Sequence, residues 1–252
     1  MTVIFGFLLA VTIYGVSMLS KEHVKIVEGV IVSLQSLRKM FIAPGATHFS
    51  ILQALYDLAI TVGLAVLTTV IGAAAALVLG LFAAQNLSNR RVSSVIKSVA
   101  SVFRAVPTVL WVLIFAIGAG LGSVAAVIGM SFHTTSYLMK AYSESFEEID
   151  RGVIEALKAG GARWIQIVVQ AVIPSSLNPI LSWTFIRFEI NFANAVAMGA
   201  AGAGGIGYSL FWAGSYYYNL HEVGFITYLI LAVAIVFEYS ATRMRSGFSV
   251  NK

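Results

Sequence analysis

Arg187 and Glu189 stand inside an otherwise apolar run, with Asn191 two positions further on. A charge at the centre of a membrane helix costs about 2.5–3.5 kcal/mol on insertion scales. Such residues either line a polar path, form structural ion pairs, or snorkel from a helix end. Lying two apart, Arg187 and Glu189 face different sides of a helix, so their partners belong to other helices or to a second copy of the chain. His133 and Thr134 form a second polar pair in an apolar run. Their donors suit an oxyanion, and interhelical hydrogen bonding is the plainer alternative. A third group is Gly202-x-Gly204-Gly205-x-Gly207. Its spacing fits a dinucleotide-binding turn, but it follows an apolar helix rather than a strand, and no βαβ unit surrounds it. It reads instead as close backbone packing with hinge freedom. Trp212 and Tyr216–Tyr218 beside it suit a membrane interface or a docking surface. The chain carries no His-Glu-x-x-His, no P-loop, no Ser/His/Asp set and no metal cluster. It is expected to be no enzyme, with no metal and no cofactor.

The elements that position these residues follow from composition. Of the 252 residues, 59% are apolar and 11% charged, against roughly 25% charged in a soluble domain. Too few charges remain to cover a globule in water, so the apolar surface must face lipid. In lipid the backbone satisfies its own hydrogen bonds, in helices or in a closed barrel. Barrel strands alternate over about 10 residues; the apolar runs here are longer and uniform, which predicts an all-α membrane protein. A net charge of +5 then marks cytoplasmic loops beside anionic lipid rather than a nucleic-acid partner. With no cysteine, disulfides and thiolate metal sites are excluded.

About 20 apolar residues span the hydrocarbon core. Candidate spans are Val3–Leu19, Ala54–Ala84, Ala100–Gly118, Leu121–Met139, Asn178–Met198 and Val223–Tyr239, about six in all. Met1 to Leu19 lacks a basic n-region and a small-residue cleavage site, so it reads as a retained helix rather than a signal peptide. Lys21–Met40 interleaves charges with Val24, Val27, Ile31 and Leu34 on one face and reads as an interfacial helix. Arg90, Arg91, Lys97, the basic residues of Lys140–Arg163, and Arg243 with Arg245 fall on one side of such a bundle. By the positive-inside rule that side is cytoplasmic, and both termini lie on it. Lys21, Lys25, Arg38 and Lys39 disagree, falling on the other side.

Between the fourth and fifth spans lies a polar interlude, residues 141–174. Phe146, Ile149, Val153, Ala156 and Leu157 sit at helical spacing on one face. Gly160-Gly161 permits the left-handed backbone that ends a helix. A second amphipathic stretch begins at Ala162 and is expected to stop at Pro174. The product is a helix–turn–helix elbow facing the cytoplasm.

This interlude resembles the coupling loop of ABC-importer permeases, Glu-Ala-Ala, three residues, Gly, nine residues, Ile, one residue, Leu-Pro. Glu155, Ala156, Gly161 and Pro174 match in register; Leu157, Ala171 and Ile173 replace Ala, Ile and Leu. Ala83-Ala-Gln-Asn86, Arg104-Ala-Val-Pro107, His133-Thr134-Thr135, Arg187-x-Glu189-x-Asn191 and the glycine group are similar to the phosphonate/phosphite branch of that family. The resemblance covers about Ile51 to Arg245, leaving 1–50 as an N-terminal helix with an interfacial segment and 246–252 as a tail. It implies a type I ABC importer permease bundle with a cytoplasmic coupling helix, in the cell inner membrane. Glu155, Ala156, Leu157, Gly160, Gly161 and Pro174 would couple to a pair of ATP-binding subunits. His133, Thr134, Arg187, Glu189 and Asn191 would flank the substrate path. Gly202, Gly204, Gly205 and Gly207 would form an outer gate or hinge. The implied partners are an extracytoplasmic solute-binding protein, a second copy or a similar permease, and membrane lipid. The implied solute is phosphonate, phosphite or a related phosphorus oxyanion. Ala193 stands where that branch carries Arg, so another small solute such as methionine stays open. An ion-gradient-driven secondary transporter would instead need a relay of intramembrane acids and two matching halves. Only Glu189 is a candidate acid, and no repeat is visible.

Overall fold

The computed structural model describes residues 1–18 and 26–249. Leu19, Lys21, Val24, Lys25 and Lys252 lie outside the described residues. In chain order come α1 (Thr2–Met18), α2 (Ile26–Ile42), α3 (Ile51–Ala83), α4 (Arg90–Ala105), α5 (Thr108–Ala119) and α6 (Ser123–Glu147). Then follow α7 (Arg151–Ala159), α8 (Trp164–Ile167), α9 (Ile173–Met198), α10 (Ile206–Phe211) and α11 (Leu220–Ser249). Among the described residues there is no strand. Among the described residues, Ile51–Ala83, Trp164–Ala203 and Leu220–Arg243 are each long and apolar enough to cross a membrane, and the bent pair α4–α5 makes a fourth if it is one span, three to four in place of the six expected; α1 is apolar but shorter, and α6, which carries the expected span Leu121–Met139, is not among them.

The bundle is built around α3, which runs 33 residues, about 50 Å at 1.5 Å per residue. Ser50 caps its start by accepting from the Gln53 amide. Its buried face is largely small: Ala65, Gly72, Ala76, Gly80 and Ala83. Gly72 lies against the Thr134 side chain and Gly80 against Tyr142, both on α6. In lipid, packing replaces the hydrophobic drive between helices, so small residues that let backbones approach carry the association. Large apolar side chains on the other faces, such as Val66, Leu67 and Val70, are exposed, as a lipid-facing surface requires.

Three apolar clusters stack along the bundle. One joins Ala83, Met139, Tyr142 and Phe146 to Ile154 and Ile167 at one end. A second gathers Leu64, Val112, Met130 and Met198. A third joins Ala54, Leu58, Phe192, Ile206 and Ile226 at the opposite end. The first marks the elbow end; the glycine-rich turn sits at the far end. The helix α1 buries none of its residues. The C-terminal turn of α2 is fastened to α11, where Tyr228 donates to the Phe41 carbonyl at 2.8 Å. Glu222, fully buried at the start of α11, accepts from the Thr47 amide and hydroxyl, both at 2.7 Å, and from the His48 amide.

The structure corrects several expectations. The third span is not one helix. Pro107 has no amide proton and biases Val106 to extended backbone (φ −86°, ψ 124°). The chain breaks there, and α4 and α5 are bent by 87°. The elbow stripe is not one helix either: α6 ends at Glu147, and the Asp150 side chain caps α7 by accepting from the Gly152 amide at 2.8 Å. Val153, placed on the apolar stripe, is 48% exposed, while Ile154 is buried. The second leg does not stop at Pro174. A wide π turn over Val168–Val172, closed by the Ile173 amide donating to the Val168 carbonyl, precedes the proline. Trp164–Ala203 therefore runs as one helix of 40 residues. Local widening of this kind absorbs the bond that proline cannot make.

Gly129 tests the close packing of α6 on α5. A Cβ there would sit 2.5 Å from the Val112 nitrogen and 2.6 Å from its Cα. Gly129→Ala is expected to cost about 1–3 kcal/mol as an overpacked contact, read as a lower unfolding midpoint in detergent. Gly63→Ala, with nothing within 4 Å, is the control and should leave the midpoint unchanged or slightly raised.

Candidate functional site

Arg187 is 2% exposed and lies between α9 and α6. Its Nε and Nη2 each donate to Thr134 Oγ1 at 3.2 Å. Nη2 also lies 3.0 Å from His133 Nδ1. A guanidinium only donates, so His133 Nδ1 accepts here and its ring proton sits on Nε2. The guanidinium carbon stands 5.1 Å from the centre of the Tyr137 ring, a cation–π geometry. Tyr137 in turn meets Trp183 edge-on at 6.3 Å.

The donors then run in one direction. Thr134 Oγ1 donates to Asn191 Oδ1 at 3.0 Å. Asn191 Nδ2 donates to Thr69 Oγ1 at 2.9 Å, and Thr69 Oγ1 donates to the Ala65 carbonyl at 2.7 Å. Thr69, Thr134 and Asn191 are all buried. Each hydroxyl both receives and gives, so the chain ties α9, α6 and α3 together without an unmet polar atom along it. Four of the five residues expected to flank a path are placed by this geometry: Arg187, His133, Thr134 and Asn191 are brought together. Glu189 is not among them. It faces a hollow of about 340 Å³ between α9 and α11, lined also by Ala193, Phe192, Phe237 and Glu238. Thr69 and Tyr137 were missed from sequence. Thr69 has one signal, a hydroxyl in an apolar span; Tyr137 has only its helical spacing from His133.

Arg104, at the end of α4, donates from Nη1 to the Ser136 carbonyl at 2.9 Å. Arg187 and Arg104 thus both meet the stretch of α6 from His133 to Ser136.

The elbow occupies the other end. Glu155, Ala156, Gly160 and Gly161 are exposed, while Leu157 is half-buried against the apolar cluster that holds Phe146 and Ile154. Gly161 has φ +82°, left-handed backbone that favours glycine. The Ala162 amide donates to the Leu157 carbonyl at 3.0 Å, closing the turn. Pro174 is exposed on the second leg, inside the continuous helix rather than at its end.

At the far end, the four glycines form a turn that folds α10 back onto α9. Gly205 has φ +70°, and a Cβ there would strike the Thr61 hydroxyl. Gly207 lies against the Val196 carbonyl with no room for a side chain. Gly202 and Gly204 also have positive φ. Thr61 Oγ1 accepts from the Ile206 amide at 2.9 Å, and Ser123 Oγ donates to the Ala203 carbonyl at 2.9 Å. The expected close packing is present. Lys39 lines a hollow at this end with Tyr217, Tyr218 and His221.

Comparison with known proteins adds four findings. The phosphate-import permease protein PhnE of Mycolicibacterium smegmatis is 32% identical over 152 residues, 60% of this chain and 29% of its own length. The chain thus spans under a third of that relative. The phosphite transport system permease protein PtxC of Stutzerimonas stutzeri is 29% identical over 190 residues, 75% of this chain and 68% of its own. Among solved structures, a chain of the inward-facing MetNI methionine ABC transporter has the same fold, with a TM-score of 0.70 at 19% identity over 79% of this chain and 99% of that one. The family model for binding-protein-dependent transport system inner membrane components matches residues 76–245. Both the elbow and the Arg187 cluster fall within that match, and the chain belongs to this family, the membrane-spanning permeases of type I ABC importers.

Proposed function

We propose that this chain forms the path by which an ATP-driven, binding-protein-dependent importer takes up phosphonate, phosphite or a related phosphorus oxyanion. One observation carries the solute class. Arg187 is buried in the bundle, and its partners, the His133 ring, the Thr134 hydroxyl and the Tyr137 face, bring no negative charge. A cation held in that way costs free energy, and a role in binding the solute would account for its being kept. Guanidinium matches a tetrahedral oxyanion better than any other side chain. The names of the two sequence relatives above, a phosphate-import and a phosphite permease, support the same solute class. Ala193 weighs against a second cation nearby, since it lines the hollow shared with Glu189 and Glu238.

The elbow is the docking lever for an ATP-binding subunit. Its apolar side, Ile154 and Leu157, is committed to the bundle, and its polar side, Arg151, Glu155 and Lys158, is left open. Two such subunits, a second permease copy and a solute-binding protein complete the machine. The solute-binding protein sits at the far end, over the glycine turn and its aromatics. On this reading the elbow end is cytoplasmic, with both termini on that side. Closure of the ATP-binding subunits would draw the elbows together and rock the helices against one another. The glycine turn would open or close the outer mouth.

Two measurements test this. In proteoliposomes with the ATP-binding subunit and solute-binding protein, labelled phosphite or methylphosphonate should be taken up only with ATP, and methionine should not. Arg187→Gln should lower oxyanion uptake about 10- to 100-fold, the equivalent of losing a charged hydrogen bond of roughly 1.5–3 kcal/mol, while the complex still assembles. Equal loss of assembly and uptake would make Arg187 a structural residue only. Gly161→Trp, which places an L side chain at φ +82°, should weaken attachment of the ATP-binding subunit without affecting membrane insertion. Normal attachment would contradict the docking role.

A further inference from the structure

Both legs of the elbow grip the same short loop, the one joining α3 to α4. The first leg is α6. Its last residue, Glu147, turns back so that Oε1 accepts from the Gln85 amide at 2.8 Å and from Lys97 Nζ at 2.7 Å. One residue along on each side, Asn86 Nδ2 donates to the Phe146 carbonyl at 2.7 Å. The second leg begins at Trp164. Its Nε1 donates to the Leu87 carbonyl at 2.9 Å, and its ring stacks on Phe82 at 5.6 Å and 13°. One carboxylate therefore ties α6 to α4 and to the loop after α3, and one indole holds the same loop from the second leg.

We propose that Glu147 and Trp164 are positioning residues that transmit movement of the elbow to α3 and α4. The inference rests on the importer reading above. An elbow pushed as a unit must carry this loop along or break four polar contacts and a ring stack. The pair Lys97–Glu147 is partly shielded, each side chain 29% exposed, and a charge-assisted bond in such a setting outlasts an exposed one. What the loop carries matters for transport. It continues into α3, where Thr69 closes the hydrogen-bond chain from Arg187, about 21 Å along the helix from Ala83 at 1.5 Å per residue. It also continues into α4, which ends at Arg104. Movement at the elbow thus reaches both arginines through rigid helix rather than through a flexible connection. Neither residue is a defined position of the motif that identified the elbow: Glu147 precedes it and Trp164 falls in its nine-residue spacer.

The chain has no cysteine, so single reporters are clean. One cysteine replaces Lys158 on the elbow; in a separate preparation, one replaces Gln53 at the far end of α3. The rate of maleimide modification is followed in the complex with its ATP-binding subunits, before and after trapping with ATP and vanadate. With Glu147 and Trp164 intact, both reporters should change rate on trapping. With Glu147→Ala and Trp164→Ala together, the Lys158 site should still respond and the Gln53 site should lose its response. Glu147→Gln with Trp164→Phe keeps an acceptor and the ring stack, and should restore part of it. A Gln53 site that responds as fully in the alanine pair as in the unaltered chain overturns the proposal. If the alanine pair fails to assemble, Lys97→Met and Trp164→Phe, each removing one bond, carry the same comparison. If neither reporter responds in the unaltered chain, the importer reading fails and this inference with it.

Discussion

Placing one guanidinium among three closely packed helices constrains everything around it. In hydrocarbon an unmet charge is expensive, and the bundle meets the cost with neutral acceptors and an aromatic face rather than with an acid. Thr134 must then both accept from Arg187 and donate to Asn191, and Thr69 must receive the amide of Asn191 and pass its own proton to a carbonyl. A one-way run of donors permits a single arrangement of α3, α6 and α9. Shifting any one of them by a helical turn would strand a buried polar group. The arrangement is specific for the same reason that it is costly, and it leaves the positive charge of Arg187 uncancelled by these partners.

The packing around that run follows from the lack of a hydrophobic drive in lipid. The interface of α3 with α6 uses Gly72 and Gly80 where bulkier residues would hold the helices apart. The same economy governs the far end, where Gly207 rests on the Val196 carbonyl. Close approach there is bought with glycines that cannot be replaced without displacing α10. The elbow end is made differently. It has a true apolar cluster, with Phe146, Ile154 and Ile167 buried together, and it surrounds that cluster with charged and amide side chains. An exposed segment is fixed to the apolar helices in this way.

Prolines show how far local rules reach. Pro107 and Pro174 both remove a donor and both disfavour helix in the residue before them. At Pro107 the chain breaks, and α5 turns by 87° to lay Val112 on Gly129. At Pro174 the helix continues, because the π turn before it shifts the hydrogen bonding by one residue. Continuing there keeps the elbow's second leg rigidly joined to the helix that carries Arg187.

Much was legible from sequence. Low charge content and long uniform apolar runs dictate membrane helices, because lipid leaves the backbone no other way to satisfy itself. The register of Glu155, Ala156, Gly161 and Pro174 located the elbow, and the intrusion of Arg187 and His133 into apolar runs singled out the polar cluster. Those signals are local: each is a property of one segment and its solvent. The tertiary structure alone decided that Arg187 meets Thr134 while Glu189 turns toward α11, that Thr69 on a helix over 100 positions earlier completes the chain, and that Glu147 closes on Gln85 and Lys97. Which polar groups become partners depends on how helix faces are rotated and how deep they sit. That is settled by the close packing of small residues between helices, and no periodicity within a single helix encodes it.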